Sequence, residues 1–528
     1  MGLRLWEKYL LLGALAILGI MGVSFVVMND FEPKAINGDS SSAKLSRDIV
    51  ARKAFVDHDE IGFNSSFYGN ADISKRDHVK DMMKFAWDGY KKYAWGANEL
   101  RPISKMGHSA SVFGSGRTGA SIVDAIDTLY IMGLNNEYND AKNFIETELD
   151  MKSIRGDLSV FETNIRFVGG LLSIHALTGE IVFLQKAQEI ADLLLPAFDT
   201  PTGIPLALVN IKTGKANNWA WASGGCSILS EFGSLELEFN YLSKLTHNST
   251  YSDKIAKIRE TISQIPKPDG LYSNYLNPRT GKWCSKHVSV GALGDSFYEY
   301  LLKQYLISGK KDLDAKKLYD DAIEAIENHL LYKSAKNNLW YFAELKGARV
   351  EHKMDHLACF IAGLFALQSS NEPTQERKEH FLELAIKIAD TCHESYIRTE
   401  TKIGPESFRF TQDAEAVSLR ETEKYYILRP EVIEGWFYLW RITKDVKYRN
   451  WCWDFVQAME KYCKVESGYS GIRNVYRING DYDDVQQSFL LAETFKYLFL
   501  IFSDDAVLPF DQWIFNTEAH PLPVAKSV

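Results

Sequence analysis

None of the six cysteines in this 528-residue chain forms a C-x-x-C pair, which argues against a zinc ribbon or a thioredoxin-type motif. Basic runs longer than a few residues are also missing. The 60 basic residues are outnumbered by 69 acidic ones, giving a net charge of −9, so nucleic acid is disfavoured as the main partner. There is no phosphate-cradling P-loop and no G-x-S-x-G nucleophile elbow. His352 and His356 are spaced i, i+4, but the intervening Lys353-Met354-Asp355 lacks the Glu that a zincin carries after its first His. A zinc site is disfavoured there, and His356 reads as a buried hydrogen-bonding residue. No repeat motif is visible.

Charge is also missing from one continuous stretch. Between Lys8 and Asp30 lie 21 uncharged residues. As a helix they would span about 30 Å, enough to cross a bilayer and longer than a usual signal-peptide core. Gly22-Val23-Ser24 imitates a cleavage site, which keeps a signal peptide as the alternative. Two N-glycosylation sequons, at Asn64 and Asn248, and an even cysteine count fit a secretory lumen. The expected layout is a cytosolic tail over 1–8, a membrane anchor over 9–29, a polar, Ser-rich lumenal stalk over 30–73 and a globular domain over 74–528.

In that domain the apolar periodicity predicts fourteen helices, over 76–95, 119–134, 137–149, 161–178, 180–195, 225–245, 250–264, 292–308, 313–332, 354–369, 377–396, 428–442, 446–463 and 484–503. Strand-like runs between them, such as Gly203 to Ile211, are short. The even-numbered segments are apolar nearly all round and the odd-numbered ones amphipathic, as expected of an inner ring wrapped by an outer ring. The expected class is mainly all-α, a closed α/α barrel of seven and seven; an α-solenoid is the structural alternative. Connections from inner to outer segments are short and those from outer to inner are long. Long loops in a compact domain are usually functional.

Those long loops arrive at the starts of inner segments, where three acids stand: Glu162, Asp295 and Glu431. A fourth, Glu493, sits inside the most apolar segment. An unpaired buried carboxylate is costly or shifts its pKa strongly, so the repetition points to an assembled site. Each acid has a plainer reading. Glu162 and Arg166 are i, i+4 neighbours and could form a simple helix-surface pair. Asp295 could be a first-turn acid. Glu431 follows Pro430 near a helix start and lies i, i+3 from Glu434, a like-charge pair that needs compensation from Arg429, a cation or a polar ligand. Paired carboxylates with no redox cofactor suit glycoside hydrolysis, one protonating the leaving oxygen and the other activating water or attacking. The 12 Trp and 26 Tyr offer sugar-stacking surfaces, although most will be core.

Six blocks in order carry a resemblance to the class I α-1,2-mannosidases of glycoside hydrolase family 47, over about Arg76 to Val524. They are Phe161-Glu-Thr-Asn-Ile-Arg, Gly294-Asp-Ser-Phe-Tyr-Glu-Tyr-Leu, Met354-Asp-His-Leu-Ala-Cys-Phe, Leu428-Arg-Pro-Glu, Ser488-Phe-Leu-Leu-Ala-Glu and Phe515-Asn-Thr-Glu-Ala-His-Pro. The resemblance implies an (α/α)7 barrel and an inverting, calcium-dependent enzyme that trims high-mannose N-glycans in the Golgi. It implies Glu162 as the acid acting through water, Glu431 as the base, Asp295 as a further essential carboxylate and Glu406 as a lower-ranked proton donor. It also implies Ca2+ bound directly by Thr517, with Glu434, Glu493 and Glu518 holding its waters. Arg166, His356, Arg429 and Phe489 match sugar-contacting or supporting positions, and Cys359 and Cys392 match a disulfide. Cys226, Cys284, Cys452 and Cys463 stay unassigned. Leu293 stands where single-mannose-removing members carry Arg, implying broad trimming toward the five-mannose form. The competing functions are a weakly active or non-hydrolytic glycan-binding relative and a membrane-anchored toroidal scaffold. No obligate protein partner is evident.

Overall fold

A computed structural model describes residues 70–525. The charge-free segment 9–29 and Asn64 lie outside the described residues, as does the stalk up to residue 69. Among the described residues no helix is long and apolar enough to cross a membrane.

The chain is mainly helical, and each expected segment contains a helix. These are α1 (Ile73–Tyr93), α2 (Ala120–Ile131), α3 (Asn135–Thr147), α4 (Gly169–Thr178), α5 (Ile181–Leu194), α6 (Glu236–Thr246), α7 (Thr250–Gln264), α8 (Asp295–Ile307), α9 (Leu313–Leu330), α10 (Phe360–Ser369), α11 (Gln375–Ile397), α12 (Glu431–Thr443), α13 (Val446–Tyr462) and α14 (Phe495–Phe502). Several inner helices start later than the apolar pattern suggested. Residues 353–355 pair as a strand with Ser407–Arg409, so His352 and His356 do not share a helical face. Leu229–Gly233 is separated from α6 by a break at Ser234 and Leu235.

The even-numbered helices neighbour one another in order from α2 to α14, and the turn before α14, Leu490–Thr494, returns to α2. Each odd-numbered helix packs outside: α3 on α2, α5 on α4 and so on, with α1 on α14. Residue character explains the division. Every residue of α10 and of α14 is buried, whereas α9 buries one stripe that includes Ala315, Tyr319, Ala322, Ile323 and Ile326. Each fully buried Leu, Ile or Phe contributes about 1.5–3 kcal/mol of transfer free energy. Close approach is sequence-encoded at α10 and α12. A Cβ on Gly363 would stand 2.8 Å from Tyr438 Cδ2 and 3.3 Å from Gly435 Cα, so Gly363→Ala would force these helices apart.

The long outer-to-inner connections carry small antiparallel sheets. The largest joins Phe113–Ser115, Arg155–Ser159, Leu208–Asn210 and Ala216–Asn217. A last hairpin, Trp513–Phe515 with Pro521–Pro523, packs against α8 and α4 and carries the turn 516–520. Disulfides join Cys226 to Cys284 and Cys359 to Cys392, while Cys452 and Cys463 are buried thiols. Asn248 lies half-buried in the turn between α6 and α7.

Candidate active site

Strand Arg155–Ser159 runs directly into a helical turn, Val160–Glu162, and the Ser159 hydroxyl caps it by accepting from the Glu162 amide at 3.3 Å. The chain continues through a π-helical turn, Thr163–Val168, before α4. A second π turn, Leu490–Thr494, holds Glu493 at the entrance of α14 rather than deep within it. Such turns recur at functional sites because they re-aim side chains without ending the helix. Asp295 and Glu431 are the first residues of α8 and α12.

Backbone conformation marks the same places. Leu293, Leu428 and Ala519 adopt left-handed φ angles of 76°, 71° and 58°. A non-glycine residue in that region is strained by about 1–2 kcal/mol, and such strain persists where the surroundings over-determine it. These residues stand two before Asp295, three before Glu431 and one after Glu518.

Together the segments enclose a cavity of about 490 Å3 lined by Glu162, Arg166, Leu293, Asp295, Arg429, Glu431, Glu434, Phe489, Glu493, Thr517 and Glu518. His356 and Glu406 are not among the lining residues and stand behind it. His356 Nδ1 contacts Glu431 Oε2 at 2.7 Å. Glu406 accepts two hydrogen bonds from Arg429, at 2.6 and 2.9 Å.

Arg166 is the hub of the other side. Its Nε donates to Glu162 Oε2 at 2.8 Å, and its Nη1 donates to Glu518 Oε1 at 2.5 Å and Ser488 Oγ at 3.0 Å. Ser488 Oγ donates in turn to Asp124 Oδ2, and the guanidinium lies 5.6 Å from the Phe489 ring centroid. The tail turn is fixed by Asn516. Its Nδ2 donates to Ile165 O and Glu238 Oε1, and its Oδ1 accepts from the amides of Glu518 and His520. Thr517 is thereby aimed into the cavity.

The acids face opposite environments. Burial pushes Asp295 well above the ordinary carboxylate range, and the nearby charges of Asp355, Glu299 and Glu431 add to this. Burial also raises Glu431, but the hydrogen bond from His356 and the charge of Arg429 outweigh it, leaving Glu431 below its ordinary value. Burial raises Glu434, Glu493 and Glu518 well above theirs, and neighbouring carboxylates add to it: Glu299 and Glu431 at Glu434, Glu518, Glu431 and Glu434 at Glu493, and Asp124 and Glu162 at Glu518. Glu493 is buried and makes no hydrogen bond or ion pair to a described residue. A cation beside such a group would reverse the repulsion.

Several lining residues were not anticipated. Glu299 lies i+4 from Asp295 on one face of α8, a spacing visible in the sequence, and pairs with buried Lys303. Glu231 accepts from Trp219 Nε1 at 2.7 Å, and Trp219 stacks on Trp221 with centroids 6.2 Å apart. The two tryptophans come from a loop with no local pattern to reveal them, and Glu231 from the short helix Leu229–Gly233. Asp124 and Ser488 meet Arg166 only because α2 and the turn before α14 are neighbours in the ring.

Two carboxylates shifted in opposite directions and facing one cavity are the arrangement that glycosidases use. The family follows from the sequence as a whole: the profile of glycosyl hydrolase family 47 matches residues 82–524, and the chain belongs to that family. Mannosyl-oligosaccharide 1,2-alpha-mannosidase IA of Sus scrofa is 58% identical over 450 residues, covering 85% of this chain and 68% of its own. Mannosyl-oligosaccharide 1,2-alpha-mannosidase IB of Homo sapiens is 57% identical over 450 residues, covering 85% and 70%. The solved alpha-1,2-mannosidase from Trichoderma reesei superposes with a TM-score of 0.79 at 28% identity, covering 87% of this chain and all of that one.

Proposed function

We propose that this glycoside hydrolase removes terminal α-1,2-linked mannose from high-mannose N-glycans with inversion, on an (α/α)7 barrel. The observation that carries the mechanism is the opposed environment of Asp295 and Glu431 across one cavity. Glu431, kept ionised by His356 and Arg429, takes the proton of the attacking water. The proton for the leaving oxygen comes from the side of Asp295 and Glu162. Asp295 is the acid whose surroundings retain a proton, and Glu162, paired with Arg166, delivers through water. Glu406 belongs behind Arg429 as its anchor. Phe489 and the Trp219–Trp221 pair offer faces for sugar rings.

The donor set fits calcium. Thr517 supplies hard oxygens, and Glu434, Glu493 and Glu518 line the same cavity with carboxylates, of which Glu493 has no ion pair among the described residues. Among the described residues no group of three or more His, Cys, Asp or Glu side chains could hold a metal ion. Bound there, Ca2+ would orient sugar hydroxyls and offset the acids' charge. The segment 9–29 would anchor the protein in the Golgi membrane with the catalytic domain lumenal.

Incubating the protein with a nine-mannose glycan, with and without a calcium chelator, tests the reading. The expected outcome is stepwise release toward the five-mannose form, lost on chelation. Arrest at eight mannoses would remove the broad specificity assigned to Leu293, turnover indifferent to chelation would remove the calcium, and glycan binding without release would favour the non-hydrolytic alternative.

A further inference from the structure

The base has a connection that leaves the inner ring. Tyr396, in outer helix α11, places its hydroxyl 2.7 Å from His356 Nε2, while His356 Nδ1 contacts Glu431 Oε2 at the same distance. All three side chains are buried or nearly so. The backbone pins this arrangement from two directions. Disulfide Cys359–Cys392 ties the chain three residues after His356 to the turn of α11 just before Tyr396. On the other side Gly404 lies against the tyrosine ring, where a Cβ would come within 2.2 Å of Cε2.

The hydrogen-bond inventory fixes the direction of the chain. Among the described residues the Tyr396 hydroxyl has no acceptor other than His356 Nε2. Withholding its proton would leave a buried donor unsatisfied, which costs about 1–3 kcal/mol. Besides Glu431, whose charge also favours the protonated phenol, no other charged group among the described residues acts on Tyr396. Rings of Trp436 and Phe455 lie against the phenol, Tyr426 faces the His356 and Phe455 rings, and the Cys452 and Cys463 thiols of the α13 segment are kept uncharged by burial. Arg429 and Glu406 are bonded to each other, and the Glu406 carbonyl accepts the His356 amide. Donation to Nε2 leaves the imidazole proton on Nδ1, where it meets the Glu431 carboxylate.

We propose that Tyr396 is a positioning residue for the reaction, donating to His356 Nε2 and so holding the tautomer whose Nδ1–H keeps Glu431 ionised. This rests on the reading of Glu431 as base. Burial keeps the Tyr396 phenol protonated far above neutral pH, so the donor persists over the working range.

The test is the pH dependence of kcat/KM for mannose release by the full protein and three variants, with thermal melts alongside. In Tyr396→Phe the acid limb rises by about one pH unit as Glu431 loses its oriented donor. In Gly404→Ala, which keeps the hydroxyl but displaces the ring, the limb rises in the same direction. A uniform loss of rate with the limb unmoved, in whichever of these variants folds, overturns the proposal. Failure of Tyr396→Phe to fold while Gly404→Ala folds with an unmoved limb also overturns it. Glu431→Gln separates the two layers: persistent turnover there would remove the base assignment itself, whereas an inactive Glu431→Gln with an unmoved limb in Tyr396→Phe sinks only the role of Tyr396.

Discussion

Glu406 is held by both of its carboxylate oxygens to the guanidinium of Arg429, whose Nη1 lies 3.9 Å from Glu431 Oε1. An acid clamped in this bidentate way, outside the cavity lining, acts through its arginine. Glu406→Gln should therefore loosen Arg429 and lower kcat/KM by roughly 10- to 100-fold, the worth of one charge-assisted hydrogen bond. Steady-state kinetics checks this. A loss beyond about 1,000-fold, with glycan binding intact, would move Glu406 into proton delivery.

The opposed shifts of Glu431 and Asp295 predict a bell-shaped pH profile with assignable limbs. Glu431 is below its ordinary value, so it is ionised at neutral pH, and activity falls as the pH drops through its pKa. Asp295 is far above its ordinary value, so it is protonated, and activity falls as the pH rises through its pKa. Asp295→Asn should abolish the alkaline limb and lower kcat by about 100-fold or more while glycan binding survives. An alkaline limb that stays in place would assign it to Glu162 instead.

Lys496 and Asp127 form a fully buried ion pair, 2.9 Å apart, between α14 and α2. It closes the helix ring where its last member meets its first. Lys496 also donates to the carbonyl of Ala519, and Asp127 meets His520 Nδ1 at 2.8 Å, so the pair also fixes the tail turn that presents Thr517. Lys496→Met would strand a buried carboxylate and destabilise the protein by about 3–5 kcal/mol. Adding Asp127→Asn should return part of that loss, because the second substitution removes the stranded charge. Urea unfolding of both single variants and the double variant measures the coupling, and simple additivity would refute it.

The difference between what the sequence reveals and what it hides follows from contact range. Glu162, Asp295 and Glu431 were visible because each sits at a helix start, a local property of spacing and apolar pattern. The alternation of buried and amphipathic helices was legible for the same reason. Family resemblance, not spacing, pointed to Thr517 and to the Cys359–Cys392 pair. Asp124, Ser488 and Arg166 converge only through ring closure, and Trp219 reaches Glu231 from an irregular loop. The late start of α10 was hidden because Lys353-Met354-Asp355 contains no Gly or Pro to separate it from the apolar run that follows, and its strand character shows only in its pairing with 407–409. Cys226 and Cys284 come from successive loops 58 residues apart, a pairing that no local pattern reveals.

Glu231 links the cavity to stability. Its Oε1 accepts from Trp219, but its buried Oε2 has no hydrogen-bond partner among the described residues. Burial raises its pKa to about 8; the Trp219 bond opposes this in part, and the charge of Glu162 adds to it. Between the unfolded value of 4.5 and about 8 the folded protein therefore holds a proton that the unfolded chain has released. Stability must fall as the pH rises through that window and level off above it, with a total loss of at most a few kcal/mol from this group. Glu231→Gln keeps an acceptor for Trp219 and has no proton to lose. Its melting temperature, followed from about pH 5 to about pH 8 in chelated buffer, should start near the wild-type value and exceed it progressively as the pH rises. A constant offset at every pH would show that Glu231 does not carry the proton.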